Sequence, residues 1–147
     1  MRNSALGARM AVLRLLDANA NRALEGMRVC EDIVRFHLES PAAFRRIRAL
    51  RHGIADAVRQ LPVTPVELVR SRASRRDVGR RAPASRVASL ERLLLINFQR
   101  TKESLRTLEE CARLIARHRT ASFQRLRFRT YEVERDLLLR VAALRHR

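Results

Sequence analysis

The apolar residues Leu15, Leu16, Ala23, Cys30, Ile33 and Val34 recur with a helical period and predict a long first helix from Val12 to about Leu38. The stretch "ESPAAF" then offers Ser40 as an N-cap and Pro41 at the first helical position, where a missing N–H costs nothing. The next helix runs through Ile47, Leu50, Ile54 and Val58 and stops at Pro62, so the first half reads as a helical hairpin. Pro62, Pro65 and Pro83 and the polar run "RSRASRRDVGRRAPAS" make residues 62–85 a long loop, and such length within a compact domain marks function or disorder. A third helix is expected from about Arg86 to Arg117. Thr120 or Ser122 caps a fourth, through Phe123, Leu126, Tyr131, Leu137 and Val141.

The pattern repeats. "NANRALEGMRVCEDIVRF" (Asn19 to Phe36) aligns without gaps to "NFQRTKESLRTLEECARL" (Asn97 to Leu114) at an offset of 78, matching Asn19, Arg22, Glu25, Arg28, Glu31 and Arg35 to Asn97, Arg100, Glu103, Arg106, Glu109 and Arg113. "LRH" at Leu50 to His52 answers "LRF" at Leu126 to Phe128 more loosely. The expected fold is all-α: two duplicated helical hairpins packed as a four-helix bundle, with a long polar loop between the halves. Residues 1–11 are expected as a flexible N-terminal tail, with Met10 as an alternative start. Residues 12–147 form a single helical domain: repeat one 12–61, loop 62–85, repeat two 86–145.

A helical wheel divides the repeated polar residues. Arg28, Asp32 and Arg35 fall opposite the apolar stripe with Glu25 and Glu31 on its borders, a spacing suited to surface ion pairs such as Glu25 with Arg28 and Arg28 with Asp32. Asn19 and Arg22 fall within the stripe, as do Asn97 and Arg100. A guanidinium turned inward must find a partner or bear a large desolvation cost. One reading makes Arg22 and Arg100 structural, bonded to helix ends or buried carboxylates. The other makes them the lining of a polar pocket that grips phosphate in a bidentate fork, with Gly26 and Ser104 leaving room for the ligand. In the loop, Asp77-Val78-Gly79 is either a plain turn, with Gly79 at positive φ and Asp77 capping it, or a place where Asp77 holds Mg²⁺ or accepts a proton from a hydroxyl.

Composition narrows the classes. A 147-residue chain with 46% hydrophobic residues is sized for one core, and four Gly, four Pro and abundant Ala, Leu, Arg and Glu favour helices. The formal charge of +17 welcomes phosphate-bearing partners. That charge is spread along the whole chain and is nearly all Arg, with Lys102 the sole Lys. Aromatic content of 4% and the lack of a groove-reading motif argue against a basic helical nucleic-acid binder, the third function considered. Cys30 and Cys111 are expected as buried free thiols in a reducing compartment, and the four His (His37, His52, His118, His146) have no metal-ligand spacing. No apolar run approaches the ~20 residues of a membrane span, and no signal-peptide core is present, so a soluble cytoplasmic protein is expected. P-loop, dinucleotide and Ser-His-Asp patterns are missing, so any phosphate chemistry falls to Arg and carboxylates.

The segments "LLDANANRALEGMRVCEDIVRF", "LRHGI", "SRRDVGR", "NFQRTKESLRTLEECARL" and "FQRLRFRTYEVER" together resemble the helical domain of thiamin biosynthesis that acts as a monofunctional hydroxymethylpyrimidine phosphate kinase and is often fused to thiamine-phosphate synthase. The resemblance covers Leu13 to about Leu138. It implies ATP-dependent phosphorylation of hydroxymethylpyrimidine phosphate to the diphosphate, with ATP and Mg²⁺ as cofactors and thiamine-phosphate synthase as a partner. Arg22 and Arg100 become phosphate clamps and Asn19 and Asn97 orient the pyrimidine or its phosphate. Asp77, with Glu25 or Glu103, handles the metal or the attacking oxygen, while Arg72, Gly79, Arg28 and Arg106 complete the phosphate-binding set. The family loop resembles Ser-Arg-Asp followed by Gly-Asp-Val-Gly, whereas this chain carries Ala73 and Arg76 at the acidic and small positions. If the missing acid is a metal ligand, the alternative is a catalytically degenerate homologue that binds pyrimidine phosphate or docks on the synthase.

Overall fold

The computed structural model describes residues 2–145, the side chain of Arg2 excepted. Met1 of the expected tail and residues 146 and 147, His146 among them, lie outside the described residues. The protein is an all-α domain of five packed helices: α1 (Arg2–Phe36), α2 (Pro41–Arg59), α3 (Pro65–Ser71), α4 (Leu90–Ile115) and α5 (Thr120–Arg145). Each of α1 and α5 packs on both α2 and α4, and α3 lies on α1.

The expected Ser40 cap is present: its hydroxyl accepts from Ala43 N–H with Pro41 opening α2. At the start of α4 the cap is Ser89, which the sequence reading did not single out and which accepts from Arg92 N–H. Thr120 opens α5 as its first residue, with its Oγ1 unbonded, and does not act as the expected side-chain cap. Two further expectations are corrected. Residues 2–11, expected within a flexible tail, form the first turns of α1, exposed from Asn3 to Arg9, because Ala5, Leu6, Arg9 and Met10 are good helix formers with no breaker beyond Gly7. The 62–85 loop contains α3, whose Thr64-Pro65-Val66-Glu67 start is a complete capping box: Thr64 Oγ1 accepts from Glu67 N–H and the Glu67 carboxylate accepts from Thr64 N–H. Prolines that read as loop punctuation include one at a helical N1.

The core repeats its own outline. Leu16, Asn19, Ala20, Ala23, Gly26, Met27, Cys30, Glu31, Ile33 and Val34 are buried in α1, and the residues 78 further on are buried in α4: Leu94, Asn97, Phe98, Thr101, Ser104, Leu105, Leu108, Glu109, Cys111 and Ala112. Ile47, Leu50, Ile54 and Ala57 along α2, with Leu61 just beyond its end, answer Phe123, Leu126, Thr130, Val133 and Leu137 along α5. The thiols of Cys30 and Cys111 are free and buried, as expected. Burial, with the nearby Glu134 charge, pushes the Cys30 thiol well above its ordinary range.

Candidate functional site

The α1–α4 crossing is the structural centre of the candidate site. Cys30 Sγ approaches Leu94 O at 3.7 Å and Thr101 Oγ1 donates to Ala23 O at 3.2 Å, so numbers fall along α4 as they rise along α1 and the helices are antiparallel. A Cβ on Gly26 would stand 2.6 Å from Thr101 Oγ1 and 3.0 Å from Asn97 O. Gly26 therefore admits the neighbouring helix, and the space beside it is taken by Thr101 and the Asn97 carbonyl instead of being left for a ligand.

Asn19 and Asn97 are 6% and 3% exposed, as interior positions should be. Each solves its burial locally: Asn19 Nδ2 donates to Leu15 O at 2.9 Å and Asn97 Nδ2 to Leu93 O at 2.9 Å. Each lies four residues before its member of the Ala23–Thr101 contact, on opposite sides of the crossing. At 1.5 Å per residue that separates them by roughly 12 Å along the helix axes.

Arg22 and Arg100 are exposed, which corrects their assignment to the interior. The wheel gives the reason. Arg22 sits roughly 60° from Asn19 on the side away from Glu31, at the rim of the stripe, where a long side chain reaches water instead of the core. Glu31 bonds to α2, so Arg22, and Arg100 by the same register in α4, stand on the face of the crossing turned away from α2 and α5. Neither forms an ion pair among the described residues. Glu25 and Glu103 share that exposed side, Glu103 accepting from Gln99 Nε2 at 2.9 Å.

The polar residues that do meet inside are ones the sequence reading put on the helix border. Glu31 is 2% exposed and takes a bidentate grip from Arg51 of α2 (Nε to Oε2 2.5 Å, Nη2 to Oε1 3.3 Å), with Arg28 at 3.6 Å and Arg48 at 4.0 Å. Glu109 is 5% exposed and takes the same grip from Arg127 of α5 (2.9 and 3.4 Å), with Arg106 at 3.4 Å. Burial pushes the Glu31 carboxyl up, but the Arg51 hydrogen bonds and the charges of Arg51, Arg28 and Arg48 outweigh it and hold it below the ordinary range. Arg28 and Arg106 are thus engaged with their own helices. Arg28 turns to Glu31 and to Asp32 (3.7 Å), the second as expected, and forms no ion pair with Glu25. The loose "LRH" and "LRF" match was the signal for Arg51 and Arg127.

Arg72 is also committed: its guanidinium grips Asp17 of α1 through two bonds of 2.6 and 2.9 Å, beside Arg14 Nε donating to Ser71 O at 2.7 Å. These contacts fasten α3 to the first half of α1. Asp77 and Gly79 lie in the exposed stretch after α3, where Asp77 Oδ1 accepts from Gly79 N–H at 2.8 Å in an Asx turn. Gly79 does not have the expected positive φ, since the carboxylate closes the turn without it. Among the described residues no group of three His, Cys, Asp or Glu is placed to hold a metal ion. A groove of about 370 Å³ runs between the end of α1 and the start of α4, with Val29, Ile33, Phe36 and Leu90 as apolar walls and Asp32 and His37 at its edge.

An all-α domain with paired Glu–Arg locks and an arginine-bearing crossing is the class that the geometry defines. The model of the ThiD2 family matches residues 14–136, and the chain belongs to that family. It is 35% identical over 139 residues to the thiamine-phosphate synthase of Rhodopirellula baltica, covering 92% of this chain and 36% of that protein. Over 131 residues it is 35% identical to the thiamine-phosphate synthase of a Synechocystis strain, covering 87% and 36%. With that of Gloeobacter violaceus the identity is 33% over 147 residues, covering 91% and 40%. The chain therefore spans little more than a third of these curated relatives. No solved structure matches it. The domain is linked to thiamine biosynthesis, and among the described residues no helix is long and apolar enough to cross a membrane.

Proposed function

We propose that this domain serves thiamin synthesis in the cytoplasm as a catalytically degenerate homologue that binds a pyrimidine phosphate or docks on thiamine-phosphate synthase. The observation that carries the reading is the match of nearly the whole chain to about a third of proteins named thiamine-phosphate synthase, so that in those relatives such a domain sits beside another part of the same molecule. The doubled outline of the core supports an origin by duplication of one hairpin, packed as a four-helix bundle. The test is calorimetry of the chain with purified thiamine-phosphate synthase and with hydroxymethylpyrimidine phosphate. Complex formation, or thermal stabilisation by the ligand that Arg22→Ala and Arg100→Ala weaken, supports the reading; the absence of both overturns it.

The second reading is phosphoryl transfer, hydroxymethylpyrimidine phosphate kinase activity with ATP and Mg²⁺. Favouring it are Arg22 and Arg100, two exposed guanidinia without ion pairs among the described residues and free to neutralise phosphate. Asp77 would take Mg²⁺ or the attacking hydroxyl's proton, its Oδ1 already engaged by Gly79. Protein incubated with ATP, Mg²⁺ and the monophosphate, coupled to the synthase, should give product that Arg22→Ala with Arg100→Ala reduces at least tenfold. No product from the wild type removes the kinase and leaves the binding role.

A further inference from the structure

A second groove, about 260 Å³, lies on the opposite side of the molecule from Arg22 and Arg100, where α2 faces α5. Gly53 and Ala57 form one wall and Ser122, Arg125 and Arg129 the other, with Gln60 at one end. The helical spacing explains the second wall: Ser122, Arg125 and Arg129 recur at three and four residues and so share one face of α5. Both arginines are exposed and neither is spent on an ion pair among the described residues. Asp56, which also reaches the groove, is already bonded to Arg59 of its own helix.

The core outline shows that this charge is local to one half. In the register that sets Ile47, Leu50 and Ile54 against Phe123, Leu126 and Thr130, Ala49 and Gly53 of α2 answer Arg125 and Arg129 of α5. One helix supplies space, the other supplies guanidinia. Polar capacity is unused nearby: Arg119 Nε, just before α5, and Thr120 Oγ1, at its first residue, are buried without a hydrogen-bond partner, while Arg119 Nη1 reaches Gln60.

We propose that this groove binds a small phosphate monoester, the phosphate held by Arg125 and Arg129 with the Ser122 hydroxyl, and the organic body against Gly53, Ala57 and Leu126. The volume is below the ~300 Å³ at which pockets take drug-sized ligands, which limits the body to a single small ring or chain. Two guanidinia one turn apart suit the several oxygens of a phosphate dianion.

The test is titration with phenyl phosphate and with inorganic phosphate at constant ionic strength, followed by calorimetry and by amide chemical shifts. Phenyl phosphate should bind severalfold tighter than inorganic phosphate and shift amides of α2 and α5 around the groove. Arg125→Gln with Arg129→Gln should weaken it at least tenfold, while the charge-matched pair Arg45→Gln with Arg92→Gln should not. Gly53→Val, its folding checked by circular dichroism, should also weaken binding by filling the groove. Parity of the two anions, equal losses in the control pair, or undiminished binding by the groove variant would overturn the assignment.

Discussion

The α1–α4 and α2–α5 seams join the same two halves in different ways. At the first the helices approach closely: the short Thr101 side chain bonds Ala23 O directly, and a Cβ on Gly26 would run into Thr101 Oγ1 and Asn97 O. At the second, long side chains reach across at the edges, Arg46 to Asp136 at 3.0 Å, Arg119 to Gln60 at 2.9 Å and Arg140 to Ser40 at 3.4 Å, and a groove stays open between them. A seam fixed by shape tolerates no added atom, whereas one fixed at its rim by exposed charges can be altered at little cost to stability.

The largest break in that contrast is Gly26→Val, whose side chain must displace Thr101 and the Asn97 backbone; it should cost about 3 kcal/mol or more in urea unfolding. Next comes Glu31→Gln, which leaves Arg51 gripping a neutral amide and Arg28 and Arg48 nearby uncompensated. Because Arg51 keeps some contact with water, a loss of about 2 kcal/mol is expected, below that for a fully buried pair. The same carboxylate sets an acid limit. Its folded pKa lies below the ordinary value of 4.5, so its contribution is complete above that pH and is lost as pH falls through the folded value. Stability measured from pH 5 downward should therefore fall more steeply for wild type than for Glu31→Gln.

Smaller effects test the turns and the open seam. Glu39, at φ 47°, occupies the left-handed region after α1, and Glu39→Gly should raise stability by about 0.5–1 kcal/mol in the same unfolding assay. Gly53→Ala should change stability by less than about 0.5 kcal/mol, since its Cβ meets only the mobile end of Leu126 at 3.1 Å and the helix gains propensity. A large loss there would mean that the two seams are equally tight.

The long helices, the Ser40–Pro41 start of α2 and the doubled burial pattern were legible because 3.6-residue periodicity and a Ser-Pro start are local signals. The capped start of α3 was equally local, yet the surrounding prolines and arginines masked it. The candidate site was less legible, and Arg22 shows why. A wheel assigns a sector to Cα, but a side chain of arginine's length at the sector's rim chooses water. Glu31 and Glu109 failed in the opposite sense: their burial depends on Arg51 and Arg127 arriving from another helix, which no single-helix pattern contains. Asn19 and Asn97 were placed correctly in the interior, but their bonds to Leu15 and Leu93 carbonyls are made within the helix.

The contact between Ala23 and Thr101 has a consequence for how such a molecule can exist at all. These residues hold equivalent places in the two halves, 78 apart, and they touch each other. In an association of two identical hairpins the residue on the symmetry axis would face its own duplicate: two alanines forgo the hydroxyl bond, and two threonines crowd the space that one methyl now fills. Residence in one polypeptide lets the two positions diverge, so that one donates and the other yields. Covalent linkage is therefore a licence for asymmetry, and at this crossing the asymmetry is what makes the contact.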